Sequence, residues 1–489
     1  MATLISNRSK ASFGLGILAA LIACAGKPVT AREADANRKP ASFGLIQWSQ
    51  MLTSTAPITT GTCVSVLDRI SKTIDTISPG QFSKDEIEKN AVTVIPILFD
   101  YRMKLLDEAR PILMAGESAR ECSKYLRRAL RHIRGVEDYI GFVGARSKAL
   151  IIPAAKPFLA NFKVTPPGYL PADMLMNPSV TENPGVRSGD ILLSRGNAAA
   201  SALIARMAEE DTQFSHLAFI YAPNAKNQLT MEAHIEFGSI FIPLQNWMSD
   251  GKSRTMLLRY NGEPNIATRA AQVMYDKISG PFKKKNPIKY DFAFDMNDHS
   301  RLFCSEIARE GYEVASTGSV MVPLFPSRIS MTNPDLMNRL GISQTASFIP
   351  ADMEEDPRFT VLGEWRDFNK VQDVWQKDAV LTSIYKWAEE GYKFDTSTKV
   401  DAESGIAKVL RNFDFIKDKM PKYMTRSVVK LNMLIENMNN DFQAKLAAIE
   451  AKRGPNALPL TYNEVMTELE TIRNADGPRK KGAFQYFHK

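Results

Sequence analysis

Residues 290–315 read YDFAFDMNDHSRLFCSEIAREGYEVA. The stretch changes character at Leu302. A polar loop ends at Arg301, the apolar Leu302 and Phe303 follow, and SEIAREGYEVA then has the composition of a helix, with Glu306 and Glu310 near its start. This predicts a helix over Ser305–Ala315, which places Cys304 at or just before a helix N-terminus. Unpaired backbone amides and the positive end of the helix dipole meet there. Both favour a thiolate over a thiol, and the same amides can hold an oxyanion. Cys304 is therefore a candidate nucleophile. The alternative is a buried structural thiol, the commoner use of a single cysteine, and this stretch alone does not separate the two.

A thiol nucleophile needs a base, and the chain has five histidines. His132 falls on a basic helix face, His488 in the tail, and His299 in the loop before Cys304, where a solvated ring is expected. His216 opens the apolar run HLAFIY, in which alternation sets His216, Ala218 and Ile220 on one face. The next run, MEAHIEF, sets Glu232, His234 and Glu236 on one face. An adjacent antiparallel strand would bring Glu232 beside His216, where a carboxylate fixes the tautomer and stabilises the imidazolium. His234 is the rival for that position. Carboxylate and imidazole in one row also raise a metal reading. Alternate strand residues are expected to diverge, however, and no second ligand cluster accompanies them, so neither metal nor other cofactor is expected.

Outward from these motifs, ILLSR, HLAFIY, LTMEAHIEF and TMLLRY read as strands and Ala267–Ile278 as a helix. Residues 188–366 thus form an α+β domain with a small antiparallel sheet. Before it come a helical domain over 32–150, opening with a polar tether, and a linker over 151–187 interrupted by Pro153, Pro157, Pro166, Pro167, Pro171, Pro178 and Pro184. After it, residues 367–489 turn helical again and end in a basic, aromatic tail expected to be loose. Lys124, Arg127, Arg128, Arg131 and Arg134 form one basic stripe, expected to face solvent, with contact to an anionic membrane or wall polymer as the sharper alternative. A lone helical hairpin buries too little to stand alone, so the flanking helices are expected to pack together.

The blocks GDILLSRG, FSHLAFIY, MEAHIEFGSIFIPLQNW and YDFAFDMNDHSRLFCSEIAREGY, in this order, resemble the YiiX/YaeF-type permuted papain-like amidases, relatives of the NlpC-type cell-wall hydrolases. In papain-like enzymes the cysteine helix precedes the histidine strand; here, as in the permuted group, histidine comes first, then the acidic residue, then cysteine. Gly189-Asp190, Pro243-Leu244-Gln245-Asn246-Trp247 and Ile349-Pro350-Ala351-Asp352-Met353 match as well. The resemblance covers the central region only. It implies a permuted papain-like fold with Cys304 as nucleophile, His216 as base and Glu232 as orienting group. It implies a cysteine amidase or peptidase-type hydrolase without cofactor. Tyr290, His234 and Ser305 are further oxyanion or substrate candidates. The insertion carrying Phe282-Lys283-Lys284-Lys285 and the stretch Gly318–Ser347 depart from the pattern and are expected to shape the cleft walls. Peptidoglycan peptides or related amides are the substrates suggested. A lipid-directed acyl hydrolase or acyltransferase is the alternative, and a non-catalytic envelope binding protein the third reading.

The N-terminus carries Arg8 and Lys10, then a charge-free run over residues 12–23, which reads as an export signal over 1–31. Leu21-Ile22-Ala23-Cys24 resembles a bacterial lipobox with Cys24 as the lipidated residue; cleavage after Val29-Thr30-Ala31 is the alternative. A periplasmic protein or an outer-membrane-anchored lipoprotein is expected. Among 489 residues, 44% hydrophobic and 24% charged is globular composition and excludes a wholly disordered or collagen-like chain. The net charge of +8 permits an anionic partner; nucleic acid is not expected for an exported chain. Four cysteines exclude a disulfide scaffold. Cys63 and Cys122 share the N-terminal helical domain of an exported chain, where disulfides persist, and are either a pair or two buried thiols.

Overall fold

The computed structural model describes residues 41–146, 175–180, 185–209, 212–330, 337, 342–394 and 426–488. The segment read as an export signal, with Cys24, the expected tether before residue 41 and most of the proline-rich linker lie outside them.

Four helices come first: α1 (Leu45–Thr53), α2 (Cys63–Thr76), α3 (Lys84–Leu113) and α4 (Arg120–Arg146). Ser83 caps α3, its Oγ accepting the Glu86 amide at 3.2 Å. Glu86 Oε1 accepts the Leu45 amide at 2.6 Å, which ties α1 to the same helix end. A disulfide joins Cys63 on α2 to Cys122 on α4, with Cα atoms 5.6 Å apart. Cross-links of this kind stabilise a fold by about 2–4 kcal/mol.

The central region runs β1 (Leu175–Met176), β2 (Ile191–Arg195), α5 (Ala199–Ala205), β3 (His216–Asn224), β4 (Asn227–His234), β5 (Gly238–Pro243), α6 (Leu244–Ser249), β6 (Arg254–Tyr260), α7 (Pro264–Lys283), α8 (Glu306–Ala315) and β7 (Phe359–Arg366). Three more helices follow: α9 (Val371–Glu389), α10 (Arg426–Arg453) and α11 (Tyr462–Asp476). The seven strands form one sheet in the order β1-β7-β6-β2-β3-β4-β5, and every pairing is antiparallel. The fold is therefore mixed helix and antiparallel sheet, with helical regions on either side.

Alternation along the strands sorts two apolar faces. Leu192, Ala218, Ile220 and Leu257 pack beneath Leu244, Trp247 and Met248 of α6. Leu193, Leu217, Phe219, Met231 and Met256 enter the main core with α7 and α8. One strand is shorter than its pattern predicts. β4 stops at His234, the chain turns through Ile235–Phe237, and Gly238 restarts it as β5 at φ +73°. A Cβ at Gly238 would run into the carbonyl oxygen of Ile288. Glu236 consequently leaves the strand face it was expected to share with Glu232 and His234.

The basic stripe of α4 does not face solvent. Arg134 is buried against Glu354, and Arg127 reaches Asp352 at 2.8 Å as well as Glu355. Arg131 lies 4.7 Å over the Tyr462 ring. The acidic run Glu354-Glu355-Asp356, just after the Ile349–Met353 motif, is what the stripe meets. Behind it sits a larger cluster. Arg102 contacts Glu137 at 3.0 Å and Glu364 at 2.7 Å. Arg366 contacts Glu364 at 2.8 Å and Asp138 at 3.2 Å, and Arg254 also pairs with Asp138. These side chains are buried and weld α3 and α4 to β6 and β7, so the N-terminal helices form one body with the sheet.

The tail is not loose either. Phe484, Tyr486 and Phe487 are buried, Phe484 lies 5.1 Å from the Trp387 ring, and Phe487–His488 pairs with Lys393–Phe394. The aromatic area of this segment outweighs the cost of its lysines, which a reading from charge alone overrates. The C-terminal helices also brace α5: Arg206 Nε donates to Thr382 Oγ1 at 3.1 Å, and Tyr385 Oη donates to the Leu203 carbonyl at 3.3 Å.

Candidate active site

β2, β3 and β4 set the site. Ser194 on β2 stands opposite His216 on β3, and period two carries Thr230, Glu232 and His234 of β4 to the same face. His216 Nε2 lies 2.6 Å from Glu232 Oε2, and His234 Nε2 lies 3.0 Å from the same oxygen. Thr230 Oγ1 donates to Glu232 Oε1 at 2.5 Å. Glu232 is buried while both imidazoles are partly exposed. Cys304, on the turn that leads into α8, lines the same cavity as His216 and is close enough for each to shift the other's titration.

Burial opposes every charge here, and the neighbours overturn it. Burial alone would raise the Glu232 carboxyl, yet the hydrogen bonds and charges of His216 and His234 hold it well below the usual carboxylate range. Burial would lower His216, but Cys304 and Glu232 together push it up to about 10. Burial would raise the Cys304 thiol; the hydrogen bond and charge of His216, the Leu217 amide and Ser305 bring it below its ordinary value. The arrangement favours a thiolate–imidazolium pair backed by a carboxylate. Among the described residues no hydrogen bond reaches the amides of Cys304 or Ser305, so both remain open to an oxyanion ahead of α8.

The pair opens on a cavity of about 340 Å³. Ala200, Ser201 and Ile204 of α5 form one wall, Ile242 and Trp247 another, and Tyr290 lines it near Cys304. Ser305 is buried with Oγ 3.8 Å from Cys304 Sγ. Lys252 lies at the rim over the Trp247 ring, 4.0 Å from its centroid, and donates to Asp250 Oδ2 at 2.9 Å. Cys304, His216, Glu232, His234, Tyr290 and Ser305, the central candidates for the site, are thus at one place. Cys24 lies outside the described residues.

Three features were not read from the sequence. Thr230 is the first; it shares period two with Glu232, and that signal could have found it. The second is the wall from α5, whose small residues carry no chemical mark. The third is the pairing of Glu306 with His299. His299, expected to be solvated, points Nδ1 at Glu306 Oε1 at 2.9 Å, and Glu306 Oε2 accepts the Phe303 amide at 3.3 Å. The expected divergence of Glu232 and His234 also fails, because residues two apart on a strand share a face. Ligand atoms of His216, Glu232 and His234 lie within 4.8 Å of one another. A carboxylate and two imidazoles are donors suited to a borderline divalent cation such as zinc, and these are the residues that could hold one.

This order of groups along the chain, with histidine and acid on adjacent strands and cysteine last at a helix start, is that of a permuted papain fold. Residues 185–363 match the model of the permuted papain-like amidase enzyme family, YaeF/YiiX, C92. The match implies papain-like amidase or hydrolase chemistry for this region. The chain is also similar to the crystal structure of metalloprotein YiiX from Escherichia coli O157:H7, with 21% identity over 36% of this chain and 95% of that one and a TM-score of 0.27. Comparison with curated proteins gives no match.

Proposed function

We propose that the protein is an exported cysteine hydrolase that cleaves amide bonds in envelope substrates such as peptidoglycan peptides. The observation that carries this reading is His216, held between Glu232 and Cys304 at the start of α8. The thiolate of Cys304 attacks the carbonyl carbon, and the amides of Cys304 and Ser305 hold the oxyanion. Collapse breaks the C–N bond, and the imidazolium of His216 gives its proton to the departing amine. His216 then takes a proton from water, whose oxygen attacks the thioester and releases the acid and the thiol. Glu232 keeps the imidazole oriented throughout. The disulfide between Cys63 and Cys122 supports an oxidising compartment, and Cys24 is the proposed site of lipid attachment.

A lipid-directed acyl hydrolase or acyltransferase is the second reading. The apolar cavity wall of Ala200, Ile204, Ile242 and Trp247 favours it. Intact mass spectrometry after incubation with muropeptides or with phospholipid vesicles separates the two by the acyl group left on Cys304. The same spectrum reads the mature N-terminus, where a diacylglyceryl mass on Cys24 is expected. A thiol-reactive probe is expected to label Cys304 with an apparent pKa below that of an ordinary thiol. His216→Ala is expected to slow that labelling at neutral pH by at least ~10²-fold. Equal labelling of the two proteins would remove the cysteine mechanism.

A further inference from the structure

The cavity is bordered by a surface that the hydrolase reading leaves unused. After His234 the chain turns through Ile235, Glu236 and Phe237, of which the first two line the cavity. The Phe237 ring, 6.1 Å from that of His234, is 42% exposed. The end of α7 is packed beside this turn. Ser239 donates its amide to the Ile288 carbonyl at 2.8 Å, the Ile288 amide donates back to Ser239 Oγ at 3.0 Å, and the Phe282 ring stands edge-on to Phe241 at 5.4 Å. Phe282 is itself 40% exposed. Next to it Lys283, Lys284, Lys285 and Lys289 are all exposed, and none has an ion-pair partner among the described residues. Lys285 sits at φ +55°, in the left-handed region that a lysine adopts at a cost. The turn so formed carries its lysines outward. Glu236 is the one acid in the adjoining 235–238 turn.

Two exposed aromatic rings and four exposed lysines, unpaired among the described residues, on the two segments joined by the Ser239–Ile288 hydrogen bonds are an unusual use of surface. Aromatic rings left in water are normally scattered, and a cluster marks a contact. Lysines beside them attract an anionic surface, and the rings can enter the headgroup region of a bilayer while the ammonium groups stay at the phosphates. Soluble polyanions would use the lysines and leave the rings idle. We infer that Phe237, Phe282 and Lys283–Lys285 with Lys289 form a docking surface for an anionic phospholipid bilayer, which seats the rim of the catalytic cavity at the membrane. This inference does not depend on the cysteine chemistry or on lipidation of Cys24, since neither the thiol nor the N-terminus belongs to the surface.

The test uses the full chain with vesicles of phosphatidylcholine alone or with about 30% phosphatidylglycerol, a fraction of the order used to mimic anionic membranes. In the Phe282→Trp variant the emission of the introduced indole, taken as the difference from the parent with its five tryptophans, is expected to blue-shift and be quenched by brominated lipid in the anionic vesicles only. Lys283, Lys284 and Lys285 were expected in the cleft walls but do not line the cavity; reversing the three together to Glu is expected to abolish that quenching and lower the vesicle-bound fraction at least ~10-fold, with Cys304 labelling unchanged. An indole left unquenched by anionic vesicles in the Phe282→Trp variant would overturn the proposal even where the N-terminus keeps the protein on the membrane. So would equal binding by the charge-reversed chain, or tight binding of dextran sulfate that Phe282→Ser leaves untouched while vesicles leave the introduced indole in water. Failure of the labelling experiment above would leave these readouts as they are, so the two claims fail separately.

Discussion

Two buried polar clusters lie on the same sheet and do opposite things. Between the N-terminal helices and β6–β7, Arg102, Arg134, Arg254 and Arg366 face Glu137, Asp138, Glu354 and Glu364. Arginine and carboxylate are matched in number, each group touches several of the other sign, and nothing reacts. Around His216 one imidazole serves two anions, Glu232 and Cys304, and one of those anions borders a cavity. Matched charge closed off from solvent gives cohesion, and an anion left with one shared cation at a cavity wall is placed to act as a nucleophile. The difference lies in connectivity and in access, since the arginine cluster is closed off while both imidazoles of the other are partly exposed.

The sharpest way to break the first cluster is to remove its hub. Glu364 meets Arg102 and Arg366 directly and is held well below the usual carboxylate range, its burial outweighed by the surrounding arginines. Glu364→Ala strands those charges and is expected to cost about 3–5 kcal/mol in chemical unfolding. The comparison predicts that Cys304 labelling per folded molecule stays unchanged. A loss below ~1 kcal/mol, the scale of a surface ion pair, would show that the cluster is solvated and the weld weak.

A smaller effect tests the boundary of the second cluster. Glu306, two residues after Cys304, is a buried carboxyl. Burial raises it, the Phe303 amide lowers it, and Asp291 and Glu310 raise it further, to about 9. An unfolded glutamate titrates near pH ~4.3. Between these values the folded chain holds a proton the unfolded chain lacks, so stability falls as pH rises through that window. Glu306→Gln mimics the neutral form and carries no such slope. It is expected to be at least ~1 kcal/mol more stable than the parent at pH ~8, with the gap closing toward pH ~5. Parallel stability curves would place a carboxylate there. A neutral Glu306 makes physical sense, because a second anion beside the thiolate would oppose it.

Much of this was legible in the sequence, for reasons tied to particular residues. His216 and Glu232 show because strand alternation fixes which side chains share a face. Cys304 shows because a helix start is written in SEIAREGYEVA. The stripe from Lys124 to Arg134 was legible as a stripe, yet its partners were not. Helical periodicity says that residues share a side and nothing about what covers it, and Glu354 and Glu355 lie more than 200 positions away. The tail failed similarly: Phe484 and Phe487 are held by Trp387, a contact no local pattern announces. Gly238 ended β4 early because a neighbouring loop crosses it, which period two along one strand does not register.

The smallest expected effect decides which imidazole belongs to the pair. His234 and His216 share Glu232 Oε2, so distance alone makes either a partner of the carboxylate. Only His216 also meets Cys304. If Glu232 exists to orient His216, then His234 is a spectator that helps keep the carboxylate ionised. His234→Ala leaves Glu232 its bonds to His216 and Thr230, and removal of one such bond is worth about 1 kcal/mol. Labelling of Cys304 is then expected to change by less than ~5-fold, the equivalent of that energy, with its pH dependence in place. Glu232→Ala is expected to slow labelling more and to raise the apparent thiol pKa. Should His234→Ala match Glu232→Ala in both readouts, the three groups act as one unit. The carboxylate would then be a bridge between two imidazoles, and the contrast with the arginine cluster would lose its basis in connectivity.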